Sequence, residues 1–352
     1  MFDQPRYREI TVSGPPRELG RQLGEAARDE VQGFCSVALE RVQKTVAISR
    51  EQAYSIAEQS IPFAEAYSPD SVEELCGVAE AAGVALVDLM LLQVRNQLQP
   101  EKDGACTSFA LSKAERSSAV VGQNWDNDPI LDDFTVVLTR HPEGKPSLLT
   151  ITQAGLISYI GFNSAGIGAC LNTLPAPSRP LGVPHYFQLR DIYEQSTLDD
   201  AIECVNRAER AVPANIILST PQGPADLEVT VDNIHVLRED DGGRVTHTNH
   251  CVHPELVPIN EDFPELIQSG PRKARIDTLI ADSSRPINDL KRALSDHQDH
   301  PLSICRHAND HPETGFWQTV FSVIIEPDAQ QMHVTRGTPC NHPFEVYKLA
   351  SK

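Results

Sequence analysis

Apolar residues in the first third of the chain recur at helical spacing. Leu19, Leu23, Ala27, Glu30 and Phe34 start a helical spacing, polar only at Glu30, and Leu39, Val42 and Val46 continue its apolar stripe, the pattern of one face of an amphipathic helix. Pro15 and Pro16 suit its first turn. Ser49 with Gln52, and Ser71 with Glu74, stand at capping-box spacing and predict two further helices. Gly83 closes the second, and the run from Leu86 to Val94 predicts another. Residues 1–105 therefore read as a mostly helical segment.

At Gly104 the pattern shifts to β-branched residues and short turns. Strands are predicted at 107–111, 118–123, 134–140, 147–153, 157–161 and 166–172. Pro175 to Pro184 is a Pro-rich loop, either a lid or a surface connector. Helices fit 185–195 and 198–208, and strands return at 214–219, 225–230 and 233–238. Asp240-Asp241-Gly242-Gly243 is a hairpin turn into a strand at 244–247. Helices fit 271–281 and 287–295, and closing strands fit 316–325 and 330–336. No internal repeat, low-complexity block or linker interrupts the order of helices, strands, helices, strands. Two strand layers between helical layers account for that order, although periodicity alone gives only mixed α and β.

Composition narrows the functional classes. The chain has 352 residues, 40% hydrophobic and 22% charged, with a net charge of −19. Such a surface repels phosphate backbones and anionic lipid, so neither nucleic acid nor membrane is an expected partner. The eight cysteines include no Cys-x-x-Cys pair and read as reduced thiols, with a cytoplasmic location expected. The first ten residues carry no apolar run, and no stretch is long enough to span a bilayer.

Cys106 heads an apolar strand, and Asp126 lies 20 positions on, behind Gln123-Asn124-Trp125. A strand, a turn and a return strand of that length form a hairpin that carries Asp126 back beside Cys106. Spacing alone favours an inert, buried cysteine.

Four other stretches complete the picture: Thr107-Ser108 after the cysteine, Ile160-Gly161-Phe162-Asn163-Ser164-Ala165-Gly166, His247-Thr248-Asn249-His250-Cys251 and Ser303-Ile304-Cys305-Arg306. In this order, from Gly14-Pro15-Pro16 to about Arg336, the chain resembles the isopenicillin N acyltransferase family of N-terminal-nucleophile cysteine hydrolases. The resemblance implies an α+β fold, the four-layer αββα sandwich of those enzymes, with a helical N-terminal segment. It also implies self-cleavage between Ala105 and Cys106, giving residues 1–105 and 106–352 as two chains of one compact unit. In place of Ala105 the family pattern has glycine; a methyl group narrows the backbone freedom available there, which bears on the rate of cleavage and not on the role of Cys106.

A cysteine that is also an N-terminus needs no histidine, because its own α-amino group, with an ordinary pKa of about 7.7–8.0, serves as the base. The resemblance assigns Cys106 as nucleophile, Asp126 as the group that orients the amine or thiol, Asn249 as the oxyanion donor and Arg306 as a positive charge near the thiolate or oxyanion. Thr107, Ser108, Asn124, Trp125 and Asn163 are possible site or substrate supports. Their ordinary readings are a turn aspartate, a loop asparagine, a solvated arginine and strand residues.

The leading expectation is a small N-acyl amide as substrate, an acyl-thioester on Cys106, and water or an amine as acceptor. An acyl-coenzyme A-dependent N-acyltransferase is the alternative, although no Gly-rich phosphate loop or basic cluster is visible. No cofactor is expected. Two further readings are a zinc hydrolase using His247, His250 and His253, at three-residue steps around Cys251, and a non-catalytic member of the family. The first lacks a His-Glu-x-x-His pattern. Oligomeric state leaves no mark in the sequence.

Overall fold

The computed structural model describes residues 5–44, 46–98, 105–114, 118–263, 268–281, 286–312 and 315–351. The turn at Asp103-Gly104 lies outside these residues. The chain begins with strand β1 (Glu9–Gly14) and continues through helices α1 (Pro16–Ala26), α2 (Arg28–Gln43), α3 (Arg50–Tyr67), α4 (Pro69–Ala82), α5 (Leu86–Gln93) and α6 (Arg95–Leu98). Strands β2 (Thr107–Leu111), β3 (Val120–Asn127), β4 (Thr135–Pro142), β5 (Leu148–Gln153), β6 (Ile160–Asn163) and β7 (Gly168–Asn172) follow. Next come α7 (His185–Ile192), α8 (Leu198–Asn206), β8 (Ala214–Thr220), β9 (Gly223–Val229), β10 (Ile234–Arg238) and β11 (Arg244–His247). The chain closes with α9 (Ser269–Leu279), α10 (Ile287–Leu294), β12 (Gln318–Glu326), β13 (Gln331–Val334) and β14 (Glu345–Lys348).

The strands form two sheets. The larger runs β1-β4-β5-β6-β7-β8-β9-β10 and the smaller β11-β2-β3-β12-β13-β14. All pairs are antiparallel except β1 with β4. β2 and β3 pack across β7, β8 and β9, so the sheets lie face to face. Helices α1 and α2 cover the outer face of the larger sheet, and α9 and α10 cover the smaller. This is the αββα arrangement expected. Strand alternation produces the layers: Cys106 and Ala110 join the large core between the sheets, whereas Phe109 and Leu111 point outward onto Ile276 of α9, Ile280 just beyond it, and Leu290 and Leu294 of α10.

Several local readings change. The stripe from Leu19 to Val46 is two helices broken at Ala27, whose φ of −119° and ψ of 35° leave helical geometry. The Ser49 capping box is formed with Gln52, and Gly83 ends α4 at φ +71°. Ser71 and Glu74 make no capping box, because α4 starts earlier, with Pro69 in its first turn. Glu74 is instead buried, 2.6 Å from Arg140 of β4 and 3.3 Å from Arg190 of α7. β1 and β14 escaped the sequence reading. β1 is short, and its alternation of exposed and buried residues is overshadowed by the helical pattern after it. Pro175 to Pro184 is a connector tied to the segment after α8, Arg179 N–H donating to Ala211 and Val183 N–H to Glu209.

Helices α1 and α4 cross at two glycines. A Cβ on Gly20 would stand 1.8 Å from the Glu74 carbonyl oxygen, and one on Gly77 would stand 2.2 Å from that of Arg17. Only glycine permits so close a backbone approach.

Candidate active site

β2 and β3 pair with Thr107 opposite Asn124. Continuing that register sets Cys106 across from Trp125 and Ala105 across from Asp126. Cys106 and Ala105 are both buried. The Asp126 backbone N–H and the Gln123 side chain lie near the thiol and favour its ionised form. Gln123 also reaches across to the larger sheet, donating to the Leu171 carbonyl at 2.6 Å and to Asn172 Oδ1 at 2.8 Å.

The electrostatics around the thiol oppose one another. Burial pushes the Cys106 thiol up to about 12, and the nearby Asp126 carboxylate adds to the rise; the Asp126 N–H, Arg272 and Gln123 act against it. Burial likewise raises Asp126 to about 7, against Arg306, the Thr319 hydroxyl and Arg272. Thr319 Oγ1 donates to Asp126 Oδ1 at 2.6 Å, while Asp126 Oδ2 has no partner among the described residues. In the continuous chain the thiol is therefore protonated at neutral pH, and burial also opposes ionisation of the nearby Asp126 carboxyl.

Asn249 follows β11. Its Nδ2 donates to Thr173 O at 3.2 Å and to Thr173 Oγ1 at 3.0 Å, and its backbone N–H donates to Ser269 Oγ at 2.7 Å. Arg306 N–H donates to Thr319 Oγ1 at 3.0 Å, the same hydroxyl that holds Asp126. The Arg306 charge acts on Asp126, and its Nε has no partner among the described residues.

Arg272, on α9, was missed by the sequence reading. Its Nη1 donates to the Cys106 carbonyl at 2.6 Å and to Thr107 Oγ1 at 3.0 Å, and its Nη2 donates to Asn249 Oδ1 at 3.1 Å. It is buried, and burial lowers it to about 10, in the field of Asp126, Arg306 and Cys106. One planar fork thus links the Cys106 backbone to Asn249. Thr319 and Asn172 were also missed. Each is an ordinary strand residue, and no local pattern marks it.

The supporting residues divide. Thr107 accepts from Arg272. Ser108 Oγ accepts from Asn172 Nδ2 at 2.8 Å. Trp125 stacks on Phe321 and meets Tyr159 edge-on; Tyr159 meets Tyr186 in turn and lies in the field of Cys106. Asn124 Nδ2 donates to the carbonyls of Leu294 and Ile304 at 2.8 Å each, bracing the loop that carries Arg306. Asn163 is spent on scaffolding: it donates to Tyr193 O and Gln195 O and accepts from the N–H groups of Ala165 and Ile167. It supports the β6–β7 turn and leaves no polar atom for a substrate.

The zinc reading of His247, His250 and His253 fails on geometry. His247 Nε2 lies 2.8 Å from Glu228 Oε1, and Nδ1 donates to the Thr248 carbonyl. Burial opposes the charged ring, yet Asp226 and Glu228 outweigh it and raise its pKa. Both nitrogens are thus taken by oxygen partners, and neither is turned to a metal. His250 bonds Ser269 Oγ at 2.8 Å, and His253 packs on His235. The three do not converge.

The chain is 26% identical over 346 residues to the acyl-coenzyme A:6-aminopenicillanic-acid-acyltransferase 40 kDa form of Emericella nidulans, covering 97% of this chain and 95% of that one. Among solved structures, penicillin V acylase from Agrobacterium tumefaciens aligns with a TM-score of 0.50 at 12% identity, over 69% of this chain and 86% of that chain. The second likeness is one of fold. The sequence pattern of acyl-coenzyme A:6-aminopenicillanic acid acyl-transferase matches residues 113–341. The chain belongs to the acyl-coenzyme A:6-aminopenicillanic acid acyl-transferase family and is an enzyme of N-terminal-nucleophile fold acting on carbon–nitrogen amide bonds.

Proposed function

We propose that this protein is a self-processing cysteine amidohydrolase that acts on a small N-acyl amide through a thioester on Cys106. The observation that carries the reading is the buried Cys106 thiol beside Asp126 at the head of β2, with Arg272 on the Cys106 carbonyl.

In the precursor, Cys106 Sγ attacks the Ala105 carbonyl carbon and its proton passes to Asp126. The tetrahedral intermediate collapses with cleavage of the Ala105–Cys106 C–N bond, and the amine leaves with a proton. Water then opens the thioester, giving the Ala105 carboxylate and a free thiol. Residues 1–105 remain bound through the shared core, to which β1 contributes by pairing with β4.

In the mature enzyme the new α-amino group takes the thiol proton. Asp126 and Arg306 set the field around the amine, and Asn249, held by Arg272, donates to the oxyanion. The substrate amine leaves protonated, and water hydrolyses the acyl-thioester. The aromatic run Trp125, Tyr159 and Tyr186 suits an apolar acyl group. The net charge of −19 favours water over a phosphate-rich coenzyme A donor. No described helix is long and apolar enough to cross a membrane, and eight unpaired cysteines suit a reducing, cytoplasmic location.

Intact-mass spectrometry during incubation tests the processing. Wild type should resolve into two chains, the second starting at Cys106; Cys106→Ala should stay whole and inactive, and Cys106→Ser should cleave slowly. Full turnover by uncut wild type would overturn the amine mechanism. A panel of N-acyl amines, with and without an added amine or acyl-coenzyme A, then separates hydrolysis from acyl transfer.

A further inference from the structure

We infer that His297, Cys305, His307 and Cys340 form a tetrahedral binding site for a zinc-class divalent metal ion, outside the reacting groups. Their ligand atoms all lie within 4.8 Å of one another. His297 Nε2 and His307 Nε2 are 3.1 Å apart, and His307 Nε2 is 3.6 Å from Cys305 Sγ and 3.5 Å from Cys340 Sγ.

Those separations match the edges of a zinc tetrahedron. Zn–N bonds of about 2.05 Å and Zn–S bonds of about 2.3 Å place two nitrogens about 3.3 Å apart and a nitrogen and a sulfur about 3.6 Å apart. Two imidazole nitrogens and two sulfurs suit zinc and leave no open position, so the ion holds structure and performs no chemistry. Burial grades across the site: Cys305 is buried, His307 and Cys340 are half-buried and His297 is exposed, which gives a metal an entry path.

The fold gives such an ion something to hold. Residues 295–317, between α10 and β12, contain no helix or strand among those described. A long irregular loop inside a compact domain needs another source of order. Cys305 and His307 flank Arg306, and the loop's backbone is already tied to Thr319 on both sides, Arg306 N–H donating to Thr319 Oγ1 and Thr319 N–H to Arg306 O. Cys340, beyond β13, joins the loop to a second irregular segment. An ion on these four residues thus grips Arg306 from both sides and fixes its distance from Asp126.

The test is metal content of the full-length protein, purified under reducing conditions, loaded with zinc and dialysed. One zinc per chain is expected, and cobalt substitution should give the visible bands of a tetrahedral thiolate site. His297→Ala and Cys340→Ser change exposed and half-buried positions, so they test the ligands without emptying the core. Each should weaken zinc binding by at least about 100-fold, since losing even an outer-shell partner costs 10–100-fold. His300→Ala, a neighbouring ring outside the set, should bind as wild type does. Wild type that takes up no zinc, ligand variants with unchanged affinity, loss of zinc in His300→Ala, or a Cys305–Cys340 disulfide in freshly purified protein would each overturn the assignment.

Discussion

Arg272 Nη1 lies 2.6 Å from the carbonyl oxygen of Cys106, so a helix on the outer face of the smaller sheet holds the backbone of Cys106 itself. Its other nitrogen holds Asn249. Arg272 is thus a positioning residue, and its loss should misplace two groups at once. Arg272→Lys keeps the charge but cannot span both partners. Turnover should fall by roughly 100-fold, the scale of a 1 Å misplacement, with an unfolding temperature near wild type. Steady-state kinetics beside thermal denaturation check this; a lysine variant with normal turnover would remove Arg272 from the site.

Asp126 predicts two pH effects of opposite use. If it takes the thiol proton during self-cleavage, the cleavage rate should rise through about pH 7 and level off above it, because only the carboxylate accepts a proton. Asp126→Asn should abolish that rise. Timed mass spectrometry across pH 5–9 reads both.

The same carboxyl has a stability signature. Its folded pKa of about 7 exceeds the ordinary value of about 3.9, so its contribution favours the folded state most below about pH 4 and is lost as pH rises through 7. Relative to wild type, Asp126→Asn should therefore gain thermal stability at pH 8 and gain little at pH 4. Equal shifts at both values would place the ionisation elsewhere.

Asn249→Ala should lower turnover by roughly 10²–10³ in a folded, processed protein if its amide serves the oxyanion. A variant with near-normal turnover would reduce Asn249 to a brace between Thr173 and Arg272.

Gly77→Ala tests the helix crossing. The added methyl would stand 2.2 Å from the Arg17 carbonyl oxygen, and the backbones of α1 and α4 must separate. A loss of about 3 kcal/mol is expected in denaturant unfolding, whereas an unchanged midpoint would mean that the crossing is loose.

The sequence by itself determined the elements and singled out Cys106 as the candidate nucleophile. Hydrophobic period is a local property, so β2, β3, β8 to β13, and α7 to α10 stand within a few residues of where alternation and capping place them. The order of five short motifs, beginning at Cys106, carried the family and with it the four layers. Tertiary structure alone decided which polar groups meet. Arg272 reads in the sequence as one more arginine on a helix, and only packing of α9 on β2 brings it to Cys106, 166 positions earlier. Thr319 reads as a strand threonine, yet its hydroxyl joins Arg306 to Asp126. Glu74 reads as a cap until Arg140 and Arg190 close on it. His247, His250 and His253 sit at ligand spacing, yet His247 is taken by a buried carboxylate. His297, Cys305, His307 and Cys340 have no recognisable spacing and converge only where two irregular segments meet. The physical reason is common to all of these: a strand or helix propensity is written in neighbouring residues, whereas a hydrogen bond or a ligand set depends on which distant side chains the packed layers bring within about 3 Å.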